Sequence, residues 1–379
     1  MLIEKYPLDA TPKALEPIEP SFADKIRFLM QGDAYRPPVA EVTCRETHMS
    51  QVFLAGDRVY KLKKPVHFPY LDFSTLVRRE AVCRAELALN RRLAPDVYRG
   101  VVPLVCSGDG FVIDGQGLIV DWLVVMNRLD DKQILDCVIR ERRLHRWQLD
   151  RLIAVLAQFY RRARPAFISP AIHVAELRRS LAYNRRVLLD PRLRIPSGLV
   201  CHIDAVQHHF LSERTEFLAE RVRKRHIVDG HGDLRPEHVC LGDPVRIIDC
   251  LEFNARLRMV EPLDEIAFLC LECERLGAGW AGEYLRRRMM HVLHNEDCDE
   301  LFIFYRCYRA MLRARLSIAH LLEPKPRTPD KWVPLAQTYL RLAMEDSVRL
   351  EKSLRKPTSR LTHRRREAGE CTRRIGALP

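Results

Sequence analysis

Apolar and polar positions follow two different periods along this chain, and the change from one to the other divides it. Residues 1–20 show neither period and read as an extended arm, after which FADKIRFLMQG (22–32) has helical spacing and stops at Gly32. VFLA and RVYKLKK then alternate as strands do and are separated by Gly56-Asp57, a tight-turn pair that predicts a hairpin. FSTLVRREAVCRAELALNRRL carries apolar residues at helical spacing, opens on Ser74 as the expected N-cap and stops before Pro95. VVPLVCSG, GFVID and GLIVDWLVVMNRL follow as further strands.

After Leu129 the pattern becomes helical and amphipathic over 132–164 and 171–225, and again from Pro262 to about Leu350. A β-rich island, HIVDGHGDLRPEHVCLGDPVRIIDCLEF (226–253), interrupts those helices. The prediction is an α+β fold of two lobes. An arm and short helix (1–39) precede a small β-rich N-lobe with one helix (40–129). A hinge near 126–130 leads to a larger, mainly helical C-lobe (130–350) that carries the hairpin 226–253, and a tail (351–379) closes the chain.

Composition narrows the function classes. The 379 residues are 47% hydrophobic and 30% charged, ordinary for a globular protein, and no apolar run approaches the roughly 20 residues of a membrane-spanning helix. The opening MLIEKYPLDATPKALEPIEP lacks the basic start and apolar stretch of a secretory signal, so the expected location is cytoplasmic. Twelve scattered cysteines show no disulfide framework. Cys270 and Cys273 form a CxxC inside the helical stretch LDEIAFLCLECERL, without a second metal-binding pair, and read as buried helix cysteines. His291 and His294 get the same reading, and the aromatics of LFIFYRCYRA (301–310) read as helix core. The net charge of +13 admits a nucleic acid or an anionic substrate such as a nucleotide. Much of the excess lies in RRRMM near 286 and in the polar tail KSLRKPTSRLTHRRREAGECTRR, which reads as solvated and disordered rather than as a nucleic-acid arm.

Chemistry concentrates in His231-Gly232-Asp233-Leu234-Arg235-Pro236-Glu237-His238 and in the strand-like RIIDC around Asp249. Two carboxylates 249 − 233 = 16 positions apart flank a β-turn-β element. That arrangement can set one beside a hydroxyl nucleophile and the other on a metal held by nucleotide phosphates. Phosphoryl transfer asks little more of a protein than positioning and charge neutralisation. The plain alternative for Asp233 is a turn aspartate capping its own loop. Asp249 follows an apolar run, where an acid is costly to bury without a partner, which argues for a metal or a lysine beside it.

HGDLRPEHV followed by IIDC resembles the HGDxxxxN and (I)D motifs of the aminoglycoside phosphotransferases and choline-kinase-like enzymes, relatives of protein kinases. The resemblance extends over roughly residues 40 to 320 and is closest to an uncharacterised bacterial branch with THxSxVFLxGDxVYKLKKPV, FLDFSTL, LNRRLAP and DCLEFN stretches. In that branch the kinase-like part is often fused to a P-loop ATPase domain. This chain has no GxxxxGK[ST], so the fused domain is expected to be absent, with a separately encoded ATPase as an expected partner.

The resemblance implies a two-lobed protein-kinase-like fold, ATP and Mg2+ (or Mn2+) as cofactors, and roles for particular residues. Asp233 matches the catalytic Asp that orients the acceptor hydroxyl, and Asp249 the metal-binding Asp. Val59-Tyr60-Lys61 resembles the strand whose lysine grips the nucleotide phosphates; Lys63 shares that face and stays a candidate. Glu86, or Glu80 in another register, would pair with the lysine. Met126 to Leu129, with Arg128 between, looks like the hinge that meets adenine. Thr47 to Gln51 (THMSQ) stands where protein kinases have a glycine-rich loop, with Ser50 and backbone N–H groups covering phosphate. Glu265-Ile266-Ala267 resembles the Asp-Leu-Ala that buttresses the catalytic loop, and His231 is expected to bridge backbone groups there.

The chain departs from the pattern at His238, where the family has an Asn as second metal ligand. His238 would ligate a metal through nitrogen, donate a hydrogen bond to phosphate, or mark a lost activity. The expected function is ATP-dependent phosphate transfer to a hydroxyl of a small molecule, with no membrane partner. The alternative is a nucleotide-binding pseudokinase acting as a regulatory or scaffolding module, and a nucleic-acid-binding protein is a third reading. Arg178, Arg179, Arg185 and Arg186 lie in the stretch 171–225 expected to build the acceptor pocket, and favour a neutral or anionic acceptor over a polycationic aminoglycoside.

Overall fold

The computed structural model describes residues 20–68, 71–108, 110–323 and 328–355. The arm 1–19 and most of the basic tail, 356–379, lie outside the described residues. The chain divides into two compact units, Met1–Arg128 and Leu129–Pro379.

In the first unit, helix α1 (Phe22–Leu29) starts on a capping box in which Ser21 and Asp24 each bind the other's backbone N–H. Strands β1 (Val42–Glu46), β2 (Ser50–Ala55) and β3 (Arg58–Lys63) follow, then the short pair β4 (His67–Phe68) and β5 (Leu71–Asp72). Helix α2 (Leu76–Asn90) leads to β6 (Tyr98–Ser107), β7 (Gly110–Ile113) and β8 (Leu118–Asn127). The large sheet runs β1-β2-β3-β8-β6-β7, antiparallel throughout. Alternation along β3 sends Tyr60 and Leu62 into an apolar core with Leu29, Tyr35, Phe53 and Leu123. It sends Lys61 and Lys63 to the other side, where α2 supplies their partner.

Helix α2 begins one residue later than the sequence suggests. Its cap is Thr75, whose hydroxyl accepts from the Arg78 N–H, while Ser74 binds Asp72 instead. The helix was expected from apolar spacing, yet it buries Arg79, Cys83, Glu86 and Asn90, and Val77 is exposed. Two ion networks make that polar stripe tolerable. Asp121 of β8, fully buried, binds Lys25 of α1 at 2.9 Å and Arg79 at 2.8 Å. Glu86 binds both β3 lysines.

The second unit contains α3 (Leu135–Arg140), α4 (Arg146–Arg162), α5 (Pro170–Leu188), α6 (Ser197–Glu213) and α7 (Thr215–Arg223). Short strands β9 (Val228–Asp229), β10 (Val239–Cys240), β11 (Arg246–Ile247) and β12 (Met259–Val260) pair as β10-β11 and β12-β9. Helices α8 (Pro262–Arg275), α9 (Gly279–Val292), α10 (Asp299–Ala319) and α11 (Pro329–Leu354) complete it. The last helix therefore extends into the stretch expected to be tail. Its core joins Leu188 of α5, Ile203 of α6, Phe268 of α8, Ala310 of α10 and Tyr339 of α11. Cys270 and Cys273 are buried in α8, and Phe302, Phe304 and Tyr305 in α10. No helix among the described residues is long and apolar enough to cross a membrane.

Candidate functional site

In the second unit, the two strand-turn segments that carry Asp233 and Asp249 are tied together by their own backbone. The N–H of Leu251 donates to the His231 carbonyl at 3.1 Å, and that of Ile248 to the His238 carbonyl at 2.9 Å. His231, fully buried, takes an N–H from Asp233 on Nδ1 (3.3 Å) and faces the Ile248 carbonyl with Nε2 (2.9 Å). The carbonyl only accepts, so Nε2 carries the proton and the ring is neutral. Burial, then the neighbouring His238, depress its pKa to about 4.

Below this loop lies Glu265 on α8, whose carboxylate accepts the N–H groups of His231 and Gly232 and the Tyr160 hydroxyl. Glu265 thus buttresses the loop, as the sequence suggests. Burial raises its pKa, and the loop N–H groups and Tyr160 hold it back. Two glycines make the close approach possible: a methyl on Gly230 would come 2.6 Å from the Glu265 carboxylate, and Gly232 has φ +89°.

Asp233 and Asp249 converge on one imidazole. His238 Nδ1 lies 2.9 Å from the Asp233 carbonyl and 3.8 Å from its carboxylate, and Nε2 lies 3.5 Å from the Asp249 carboxylate. Since the carbonyl accepts, Nδ1 bears the proton in the neutral ring, leaving the Nε2 lone pair turned towards a carboxylate. That lone pair also has the Arg235 guanidinium 3.3 Å away as a donor. Asp249 reaches this position with left-handed backbone, φ 64°, which is uncommon for a residue with a side chain and concentrates at functional sites. Among the described residues no group of three or more His, Cys, Asp or Glu side chains is arranged to hold a metal. Mg2+ commonly takes one or two carboxylates and fills its shell with water and substrate phosphate, so the Asp249 carboxylate fits such an ion, while the His238 imidazole is not one of the oxygen ligands it prefers.

Arg235, which the sequence reading passed over as a candidate, stands at the centre. Its Nε donates to Asp233 at 3.0 Å, its Nη2 lies 3.3 Å from His238 Nε2, and its Nη1 lies 3.8 Å from Glu237. Extended backbone at Arg235 puts its side chain on the same side as that of Asp233 two residues earlier. Burial alone would raise the Asp233 pKa. Arg235, then His238 and Arg313, outweigh it and keep the carboxyl below its ordinary range.

In the first unit, Lys61 Nζ and Lys63 Nζ each lie 2.6 Å from Glu86, one on each carboxylate oxygen. Glu86 is fully buried, the Lys63 side chain is 2% exposed and that of Lys61 13%. Of the two lysines, Lys61 is the nearer to solvent. Glu80 is not involved; it pairs with Arg84 on the exposed side of α2. Ser50 is buried, and its N–H already donates to the Thr47 hydroxyl at 3.0 Å. Met126 is buried between Val59 and Tyr98 on the neighbouring strands. The next two amides are also engaged, Asn127 with the Val97 carbonyl and Arg128 with that of Asp57, each at 2.8 Å. The Arg128 side chain is exposed.

An aminoglycoside 2′-phosphotransferase solved as its GDP complex superposes with TM-score 0.50 at 15% identity, covering 86% of this chain and 98% of that one. Choline kinase from Cryptosporidium parvum superposes with TM-score 0.50 at 11% identity, covering 83% and 90%. The chain has the fold of the aminoglycoside phosphotransferases and choline kinases. Uncharacterized proteins of Mycobacterium tuberculosis and Mycobacterium bovis are 34% identical over 289 residues, 75% of this chain. The chain spans 56% of the length of these relatives. No family model matches it.

Proposed function

We propose that the chain is an ATP-dependent phosphotransferase acting on a hydroxyl group of a small molecule. The observation that carries this reading is the meeting of Asp233 and Asp249 on His238, three side chains from two segments of one hairpin. In the proposed reaction the acceptor oxygen bonds to the γ-phosphorus as the bond to the β–γ bridging oxygen breaks. ADP leaves, and the hydroxyl proton passes to Asp233. Asp233 is suited to receive it because its carboxyl is held ionised by Arg235. A divalent cation bound at Asp249 and His238 would supply charge neutralisation for the phosphates. Within the first unit, Lys61, backed by Glu86, is the side chain suited to a nucleotide phosphate.

The test is phosphate transfer from ATP to a panel of hydroxylated metabolites, read by mass spectrometry with magnesium and then with manganese. Parent and Asp233→Asn proteins are run side by side. Transfer by the parent that falls about 10²–10⁴-fold in the variant is expected for loss of a general base. Transfer that the variant retains would refute the assignment.

One observation favours a second reading. Arg235 occupies the Asp233 carboxylate, and His stands where an oxygen ligand is usual, as in a pseudokinase that binds nucleotide without transferring it. ATP binding by calorimetry, with neither hydrolysis nor transfer in either metal, would select that reading.

A further inference from the structure

A cavity of about 580 Å³ opens along one face of α5, lined by Glu176, Arg179, Ser180, Ala182, Tyr183 and Arg186. The spacing 176, 179, 180, 183 and 186 is that of neighbours on a helix surface, so these side chains present one continuous strip. Helix α10 meets the strip. The Tyr308 hydroxyl is 2.9 Å from Ser180 Oγ, and the Arg315 guanidinium lies 4.4 Å from the centre of the Tyr183 ring. Arg186 approaches the same ring at 4.9 Å, so two cations rest against one aromatic.

The charge balance of this cavity is positive. Arg179 and Arg186 are exposed, and among the described residues neither has a carboxylate within ion-pair distance. Glu176 is the acid of the lining, and it is answered by Arg256 at 3.8 Å. Arg186, steadied on the Tyr183 ring, and Arg179, on the same strip, are guanidiniums suited to grip carboxylate or phosphate oxygens.

The cavity is joined to the hairpin. Arg256, which reaches Glu176, belongs to the 3-10 turn Ala255–Arg258, and the Leu257 carbonyl of that turn lies against Gly232, where an added methyl would come within 3.1 Å of it. Gly232 is the residue before Asp233. A single short turn therefore touches both the cavity wall and the catalytic loop.

We propose that this cavity is the acceptor site and that the acceptor is a hydroxylated anion, with its carboxylate or phosphate held by Arg179 and by Arg186, which rests on Tyr183. The choice of acceptor rests on the phosphotransferase reading; the anion site itself does not. A cationic acceptor is disfavoured by the same side chains.

The test uses the full chain and three hydroxylated probes: 3-phosphoglycerate (anion), glycerol (neutral) and choline (cation). Binding is measured by titration calorimetry at low salt and at about 0.15 M ionic strength. The anion is expected to bind about tenfold or more tighter than the other two, and an R179A/R186A double variant to lose about tenfold or more of that affinity. The variant's melting temperature, expected to match the parent's, shows that its fold is intact. An R287A/R288A variant, which removes two arginines of α9 away from the cavity, is expected to bind the anion as the parent does.

Equal binding of all three probes overturns the proposal. So does an R179A/R186A variant that binds undiminished, or an R287A/R288A variant that loses as much, which would mean a non-specific charge effect. Binding of ATP and its transfer are followed separately. Specific anion binding without any transfer leaves the anion site standing and removes the kinase reading, whereas transfer only to neutral or cationic acceptors does the reverse.

Discussion

Two ionisable side chains in the hairpin owe their behaviour to burial and close neighbours, and each makes a prediction. Arg235 holds Asp233 ionised, so Arg235→Ala should raise the Asp233 pKa and move the acid limb of the kcat/KM profile to higher pH. A purely structural Arg235 would lower activity without moving that limb. His231 is buried neutral with its pKa pushed to about 4, so between about pH 6.5 and 4 the unfolded chain binds the proton that the folded chain refuses. Stability contributed by this residue is complete above pH 6.5 and is lost as pH falls through the window, by about 3 kcal/mol at the end of it. Urea unfolding of parent and His231→Asn proteins across that range should show the extra acid loss only in the parent. His231, Asp233 and His238 were legible as candidates from one short motif, and Asp249 from a second, RIIDC. Arg235 was not, because a charged residue in a turn-rich loop reads as solvated until the backbone shows which way it points.

At the level of elements, the hairpin of β2 and β3 was legible from alternation and the Gly56-Asp57 turn, and so was the two-faced nature of β3. Helix α2 was legible only as a helix. Its buried stripe is Arg79, Cys83, Glu86 and Asn90, which apolar periodicity cannot flag, since the partners that make these charges tolerable are 25 to 42 residues away in sequence. Glu86 therefore looked like one more surface glutamate. The structure separates it sharply from Glu80, the other candidate. Glu86→Ala leaves two ammoniums without their carboxylate in a buried place and should cost about 3–5 kcal/mol, whereas Glu80→Ala should stay within about 0.5 kcal/mol, both read from chemical denaturation. The two lysines should also part company. Lys61→Ala is expected to weaken ATP binding with the smaller loss of stability, and Lys63→Ala, the more deeply buried of the pair, to lose stability first. If the two variants proved interchangeable in both assays, Lys61 would have no special claim on the nucleotide.

For the whole molecule, the shift of period after Leu129 and the boundary between the compact units at Arg128 fall at one place in the chain. The physical reason is that a sheet with helices on its faces and a helical assembly bury their apolar surface by different repeats. Each unit also closes charge networks of its own. Lys25, Asp121 and Arg79 link α1, β8 and α2 in the first, and Arg309 grips Asp264 through two bonds of 2.7 and 2.6 Å in the second. Asp121 is 0% exposed and stands between two buried cations, so Asp121→Ala removes the one carboxylate that serves both and should cost about 3–5 kcal/mol. Hydrogen exchange followed by mass spectrometry is the fitting measurement, because it reports where protection is lost as well as how much. Amides of α1, α2 and β8 should exchange faster in the variant, while those around Asp264 and Arg309 keep more of their protection. Uniform acceleration along the whole chain would show instead that the two networks stand or fall together, and that the units share one unfolding transition.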